Sequence, residues 1–176
     1  ICIMGRCDTG MVNTLGTALE SFWAASADKQ VIVYIPDSTR MKDAGGKRLS
    51  EIWVNLSDSV PAPPPGHRIL TAYDFGPEGA TFDPSIRITL KFDPAELYAG
   101  QYAVAVYYYD EAAGAWQFIT NSLIEDIEGE ESQVVFNTGH FTQFAIMSTE
   151  PAATAPPAQS MPSVPSGPQQ SGGTGV

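Results

Sequence analysis

The sequence predicts an all-β protein, built as an antiparallel β-sandwich. Apolar and polar residues alternate in several short runs, turn-forming residues separate these runs, and helix signals are few. Alternation with a period of two places one face of a strand in a core. Many short strands with frequent turns are typical of sandwiches. Only residues 93–100 indicate a helical turn, because Asp93 can cap it and Pro94 can occupy its first position.

One strand is predicted in the opening stretch of the chain. Two more are predicted after it, at residues 30–35 and 51–56. Residues 30–35, QVIVYI, are apolar on both faces, as the inner strands of a sheet are, and turn signals flank them. Residues 51–56, EIWVNL, alternate instead, which is typical of a half-buried strand. Their predicted core side carries Ile52, Val54 and Leu56.

The clearest alternation is IRITLKF, residues 86–92. One face of this predicted strand is wholly apolar, and the other is polar or basic. The apolar face carries Ile86, Ile88, Leu90 and Phe92. The strand is therefore expected to lie against the core along its whole length.

A turn rich in glycine and proline leads into that strand. Pro77 is expected to fix φ at a central turn position, and Gly76 and Gly79 to allow conformations closed to other residues. Phe82 is predicted to fill the core where the strand begins. Pro84 is tolerated if it precedes the paired part of the strand.

The remaining strands are predicted in the last third of the sandwich. Residues 103–109 and 115–119 read as a hairpin, with Gly114 supplying the positive φ that a tight loop needs. Residues 132–137 form a further strand. Residues 140–147 are predicted as one closing strand, with Phe141 on the opposite face from Phe144 and Ile146.

The domain organisation follows from composition. Residues 17–149 are predicted to form the sandwich, and residues 1–16 an N-terminal segment that trails from an upstream region. Residues 150–176 are uncharged from Pro151 onward and dominated by Pro, Ser, Gly, Ala and Gln, which predicts a disordered linker. Cys2 and Cys7 could close a small disulfide loop, but at the chain terminus they are expected to play no part in the folded domain.

Charge and residue spacing exclude several function classes. The net charge is −11, and every Lys and Arg lies at or before Lys91, so nucleic-acid binding is not expected. No apolar run is long enough for a transmembrane segment. The cysteines lack zinc-site spacing and the acidic loops at residues 110–114 and 125–131 lack a calcium-loop pattern, so no metal or other cofactor is predicted.

Four motifs, in order, resemble a known family. The stretch with Gly76, Pro77, Gly79, Phe82 and Pro84 resembles the ZU5 family, and is most similar to the ZU5-like modules of large bacterial and archaeal surface proteins. The other three motifs precede and follow it. They comprise Ile35, Pro36, Thr39, Asp43, Gly46, Leu49, Ser50 and Ile52; then Tyr108 to Gly114 with Trp116; then His140, Phe141, Thr142, Phe144 and Ala145. The resemblance covers residues 17–148.

This resemblance implies a non-catalytic structural or protein-interaction module of a larger surface protein. Its partners would be other domains of the parent chain or other surface proteins, and its location extracellular or at the cell surface. The Pro-rich segment after residue 150 agrees with a multidomain parent. Fold alone does not fix function, so two alternatives stay open.

The first alternative is self-cleavage between Phe141 and Thr142. Some ZU5 relatives cut themselves at a His-Phe-Ser motif, and here Thr142 would supply the hydroxyl and His140 the base. That chemistry also needs a strained peptide and an oxyanion partner. The β-branch of threonine crowds the attack, and an ordinary strand explains these residues equally well.

The second alternative is a carbohydrate-binding surface. Stacking aromatic residues would come from Tyr107 to Tyr109, Trp116 and Trp53. Successive strand residues point to opposite faces, so only part of this set can share one surface. The other histidine, His67, follows a Pro-rich bend and is predicted to be a solvated loop residue.

Overall fold

In a computed structural model, the protein is a sandwich of two β-sheets, as predicted. The structure describes residues 1–97, 103–120, 122–126 and 132–149, and no α-helix lies within these ranges. The predicted linker, residues 150–176, lies outside the described residues. The strands are β1 (Cys2–Ile3), β2 (Arg6–Cys7), β3 (Phe22–Ala25), β4 (Val31–Ile35), β5 (Arg40–Lys42), β6 (Trp53–Leu56), β7 (His67–Gly76), β8 (Thr81–Phe92), β9 (Val104–Asp110), β10 (Ala115–Phe118), β11 (Leu123–Asp126), β12 (Ser132–His140) and β13 (Gln143–Thr149).

The strands divide between a seven-stranded and a six-stranded sheet. The larger sheet has the order β10-β9-β13-β7-β6-β1-β2. The smaller has the order β11-β12-β8-β4-β3, and β5 pairs with the beginning of β8. All pairs are antiparallel except β1 with β6, which is parallel. The chain repeatedly crosses between the sheets, so the fold depends on contacts between distant segments.

Strand β8 lies at the centre of the smaller sheet. It pairs with β12 on one side and with β5 and β4 on the other. Its predicted alternation is confirmed, since the four apolar residues from Ile86 to Phe92 are all buried. The predicted helical turn is also present. It is a 3₁₀ turn at Pro94–Glu96, and the Asp93 carboxylate accepts a hydrogen bond from the Ala95 N–H at 2.7 Å.

Pro84 lies inside β8 and not before it. The proline is tolerated because the strands that pair with β8 change at this position. The β5 pairing ends at Asp83, and the β4 and β12 pairings resume at Arg87 and Ile86. Pro84 therefore occupies a stretch where no ladder hydrogen bond requires its missing N–H.

The N-terminal segment, residues 1–16, packs on the sandwich through its first strand. Ile3 is fully buried in the core between the sheets, and β1 pairs with β6. Cys2 and Cys7 form a disulfide that closes the β1–β2 hairpin. The expectation that these cysteines play no part in the folded domain is therefore wrong. Sequence position alone suggested fraying, but the core contact of Ile3 fixes the segment.

The closing residues are not one strand, which corrects a second expectation. β12 ends at His140 and β13 begins at Gln143, and the chain passes from the smaller sheet to the larger between them. This bend interrupts the two-residue alternation. Phe141 therefore enters the same core as Phe144 and Ile146, and does not face away from them.

Two further differences from the predictions concern strand exposure. Leu56, at the end of β6, is 55% exposed, although it was predicted on the buried side with Val54. Strand β7 was not predicted, and His67 begins it instead of lying in a solvated loop. The His67 Nε2 atom is 2.9 Å from the Tyr107 hydroxyl, and the two rings meet edge-on.

Candidate functional site

The crossover between β12 and β13 brings together the three residues of the predicted self-cleavage motif. Phe141 is buried, with its ring centroid 4.5 Å from that of Phe82 and 5.4 Å from that of Phe75. Phe82 is itself buried beside the glycine-proline turn, as predicted. The crossover is therefore anchored by an aromatic cluster that joins both sheets.

Backbone hydrogen bonds fix the crossover against the turn between β7 and β8. The Phe141 N–H donates to the Ala80 carbonyl at 2.9 Å, and the Gly79 N–H donates to the Phe141 carbonyl at 3.2 Å. Gly79 has a φ of +70°, which confirms that this turn position needs glycine. The predicted turn motif and the predicted closing motif thus form one structural unit.

The side chains of Thr142 and His140 make separate contacts. The Thr142 hydroxyl donates to the Tyr109 carbonyl at 2.7 Å. The His140 ring packs edge-on against Tyr108 with centroids 5.4 Å apart. Within the described part of the chain, no hydrogen bond joins His140 to the Thr142 hydroxyl. The base and nucleophile that self-cleavage requires are therefore present but not paired.

Gly76 is needed for a reason different from the predicted one. Its φ is not positive; instead, Trp53 on the neighbouring strand lies directly over it. A Cβ atom at Gly76 would be 2.0 Å from Cζ2 of Trp53. The absent side chain therefore leaves room for the indole ring on the outer face of the larger sheet.

A proline-rich segment covers the middle of that outer face. We call residues 57–66, SDSVPAPPPG, the proline strap. The Trp116 indole N–H donates to the Pro61 carbonyl at 3.3 Å, and the Gln143 side-chain amide donates to the Ser59 carbonyl at 3.0 Å. Below the strap, Ala72, Ala145, Met147 and Trp116 form a second small apolar cluster.

The aromatic residues considered for sugar stacking lie on different faces of the sheet, as the alternation of strand residues requires. Tyr107 and Tyr109 face the outer side with Trp116, and the Tyr109 and Trp116 rings meet at 5.3 Å. Tyr108 packs against the inner core. Trp53 lies across the sheet on Gly76. Trp116 is buried under the strap, so it presents little surface to a ligand.

Two adjoining clefts open near the strap and the β9–β10 hairpin. The strap cleft, of about 370 Å³, is lined by Trp53, Ser59, Val60, Pro61, Asp74, Phe75, Glu78, Tyr109, Glu111, Thr142 and Gln143. The hairpin cleft, of about 340 Å³, is lined by Glu78, Gly79, Tyr108, Tyr109, Asp110, Glu111, His140, Phe141 and Thr142. The two share four residues, so they adjoin. Neither lining includes a Lys or Arg side chain.

The acidic residues of these clefts are held in different ways. Asp74 accepts hydrogen bonds from Ser57 Oγ at 2.7 Å and from Gln143 Nε2 at 2.8 Å. Glu78 and Glu111 instead face each other. A hydrogen bond to the Glu111 carboxyl, with charge repulsion from it, raises the pKa of Glu78. This pair is therefore stabilised by a proton or by a positive charge placed between the two groups.

The described residues contain no group of three His, Cys, Asp or Glu side chains placed to hold a metal ion. Much of the acidic segment 125–131 lies outside them, so a role for it in calcium binding is not examined by the structure. Across the described ranges, no helix has the length and apolar character needed to cross a membrane.

No protein-family model matches the chain, and no curated protein matches it. The ZU5-like resemblance therefore stays a prediction that rests on the motifs alone. Sequence reasoning missed Asp74, Glu78, Glu111 and Gln143 as cleft residues. Glu78 and Glu111 each lie in a turn that was predicted, but nothing in the local sequence indicates that the two turns meet.

Proposed function

We propose that the chain is a non-catalytic, ZU5-like protein-interaction or structural module of a larger extracellular or cell-surface protein. The observation that carries this proposal is the arrangement at the crossover. The Thr142 hydroxyl is engaged by the Tyr109 carbonyl, and the His140 ring packs on Tyr108. These contacts stabilise the joint between the two sheets, and they suit a scaffold better than a reacting centre.

The clefts and the disulfide support the interaction role and the location. The strap cleft has an open aromatic and acidic lining, with most of its polar groups already held in place by the fold. Such a pre-ordered surface binds a partner with little loss of side-chain entropy. The Cys2–Cys7 disulfide is compatible with an oxidising, extracellular compartment.

Mass analysis of the purified full chain after denaturation tests the non-catalytic part. We expect one species at 18.8 kDa after days of storage at neutral pH. Two fragments that meet at Phe141 and Thr142 would contradict it. Thr142→Val is the matched control, since it removes the hydroxyl and keeps the β-branch; fragments that disappear in this variant would establish self-cleavage.

One observation favours self-cleavage as a second candidate function. The Gly79 N–H bonds to the Phe141 carbonyl oxygen, where negative charge would develop during attack by Thr142. In this reaction the Gly79 N–H would serve as the oxyanion donor. The reaction would still require the Thr142 hydroxyl to leave the Tyr109 carbonyl and to gain a base.

A carbohydrate-binding role is the third candidate, and the strap cleft is where it would reside. Trp53 and Tyr109 line this cleft beside hydrogen-bonding side chains. A glycan array on the full chain examines this role directly. Saturable binding of one glycan class, lost in Trp53→Leu but kept in Trp23→Leu, would favour it over the protein-interaction role.

A further inference from the structure

The strap cleft has three properties that together point to the chemistry of a ligand. Its lining carries the carboxylates of Asp74, Glu78 and Glu111 and lacks Lys and Arg. It presents the aromatic side chains of Trp53 and Tyr109. Its volume of about 370 Å³ is enough for a long side chain. An anionic cleft with aromatic walls is complementary to a flat organic cation.

We propose that the strap cleft binds an arginine side chain of a partner protein. The proposal deepens the protein-interaction function proposed above and rests on it. The guanidinium group would lie between the Glu78 and Glu111 carboxylates and stack against Trp53 or Tyr109. The lining itself contains no Lys or Arg side chain that would compete with this guanidinium group for the carboxylates.

The fold brings the carboxyl groups of Glu78 and Glu111 together in the strap cleft. Glu78 projects from the turn between β7 and β8, and Glu111 from the β9–β10 hairpin. These turns are held together by the crossover, because Gly79 bonds to Phe141 and Thr142 bonds to the Tyr109 carbonyl. The two carboxyl groups therefore approach because the fold places them, and not because they attract each other. A guanidinium offers several N–H donors in one plane and can bond to both.

Trp53 and Tyr109 form the aromatic wall of the strap cleft. The close approach of Trp53 to Gly76 fixes the indole ring beside the cleft. Asp74 is already bonded by Ser57 and Gln143, which keeps the cleft floor ordered without neutralising its charge. A planar guanidinium stacks on such a ring, whereas a lysine ammonium is more strongly hydrated and makes no planar contact. The cleft should therefore prefer arginine to lysine.

Two-dimensional ¹H–¹⁵N NMR of the full chain with N-acetyl-arginine amide tests the proposal. The chain has three tryptophans, and each contributes one indole N–H signal that single Trp variants assign. We expect saturable movement of the Trp53 signal, with a dissociation constant of about 1 mM. The Trp23 signal is the internal control, because Trp23 is 63% exposed on the other sheet and should not move.

Chemical analogues separate the guanidinium contribution from general affinity. N-acetyl-citrulline amide has nearly the same shape without the charge, and we expect binding at least about ten-fold weaker, as for a lost charge-assisted hydrogen bond. N-acetyl-lysine amide should fall between the two. Equal binding of all three compounds would overturn the proposal.

A pair of matched variants locates the site. Glu78→Gln with Glu111→Gln should weaken arginine binding about ten-fold or more. Glu20→Gln with Glu51→Gln makes the same change of net charge, from −11 to −9, at two exposed positions outside the cleft, and should weaken it less than about two-fold. All four glutamates are exposed, so the variants should fold, and their amide spectra verify this.

Three further results would overturn the proposal. They are movement of the Trp53 signal that does not saturate, equal weakening by both double variants, and binding of neutral disaccharides at lower concentration than arginine. The last would favour the carbohydrate-binding role. The mass test of the uncut chain is independent of this titration, so the arginine site can fail while the non-catalytic proposal stands.

Discussion

The two faces of the seven-stranded sheet are covered in different ways. The inner face packs on the smaller sheet through large apolar side chains, including Phe75, Phe144 and Ile146. The outer face carries a smaller cluster of four buried residues, Ala72, Trp116, Ala145 and Met147, beside the proline strap. The inner contact is side chain against side chain, whereas the strap is also joined to its sheet by hydrogen bonds from Trp116 and Gln143 to the carbonyl groups of Pro61 and Ser59.

The two faces are therefore expected to have different roles, one in stability and the other in binding. A core between two sheets closes along its whole length, because both surfaces are regular. The strap has no regular secondary structure, and it leaves part of the outer face open beside Ser59, Val60 and Pro61. The strap cleft lies there, and Trp53 contributes to its lining. The inner face should therefore dominate the free energy of unfolding, and the outer face should dominate binding.

The largest expected effect tests the core that covers the inner face, where Phe82 of the smaller sheet packs against Phe141. Phe82→Ala should lower the free energy of unfolding by about 3–5 kcal/mol, the usual cost of removing a buried Phe side chain. Urea denaturation measures it. Phe118→Ala is the control, because Phe118 is 52% exposed on the outer face and should cost about 1 kcal/mol or less. Equal losses in the two variants would remove the distinction between the faces.

The next effect tests the outer face. Gly76→Ala places a methyl group in the space occupied by Trp53 and should cost about 1–3 kcal/mol, as overpacking does. The double variant with Trp53→Ala removes the clash, so its loss should be smaller than the sum of the two single losses. Additive losses by urea denaturation would show that the indole ring does not constrain Gly76.

A smaller effect tests the crossover that joins the two sheets. Thr142→Val removes the hydrogen bond to the Tyr109 carbonyl and should change stability by about 1 kcal/mol or less. On a denaturing gel, wild type and variant should each give a single full-length band. A loss comparable to that of Phe82→Ala would place the hydroxyl among the main stabilising groups of the core.

The smallest effect tests the pair formed by Glu78 and Glu111 beside the outer face. Glu111→Gln removes the repulsion and the carboxylate partner, so the pKa of Glu78 should fall toward its ordinary value. Because a raised pKa means that the folded state binds the proton more tightly than the unfolded state, wild-type stability should fall slightly as pH rises through that pKa. The variant should lack this decline.

Carbon-detected NMR titration of the Glu78 carboxyl measures the shift in pKa, and thermal unfolding across the acidic range measures the slope. Glu51→Gln is the control, since Glu51 is exposed and lies away from this pair. An unchanged pKa of Glu78 in Glu111→Gln would show that the two carboxyl groups do not interact.

The parts of the fold that follow local rules were predicted from the sequence. The alternation of β8, the hairpin around Gly114 and the burial of Phe82 each depend on neighbouring residues, and all three are confirmed. The orientation of Phe141 was not predicted, because it depends on a bend between two sheets. The role of Gly76 was not predicted either, because Trp53 lies on a strand far from it in sequence.

The candidate site was less predictable than the fold for the same reason. The motif residues around Thr142 were found, but their hydrogen-bond partners come from β9 and from the turn after β7. Glu78 and Glu111 are unremarkable turn residues when read separately. The strap was visible as a Pro-rich bend, yet proline composition does not indicate which surface a segment covers.

The disulfide-closed hairpin at the chain start has a consequence for self-association. Strand β2, Arg6–Cys7, lies at one border of the larger sheet and is only two residues long. An added strand would find few free backbone groups there and would meet the charge of Arg6. The hairpin thus protects that border against the edge-to-edge growth that leads to fibrils. Opening it by reduction is expected to expose Trp53–Leu56 of β6 as a longer template for aggregation.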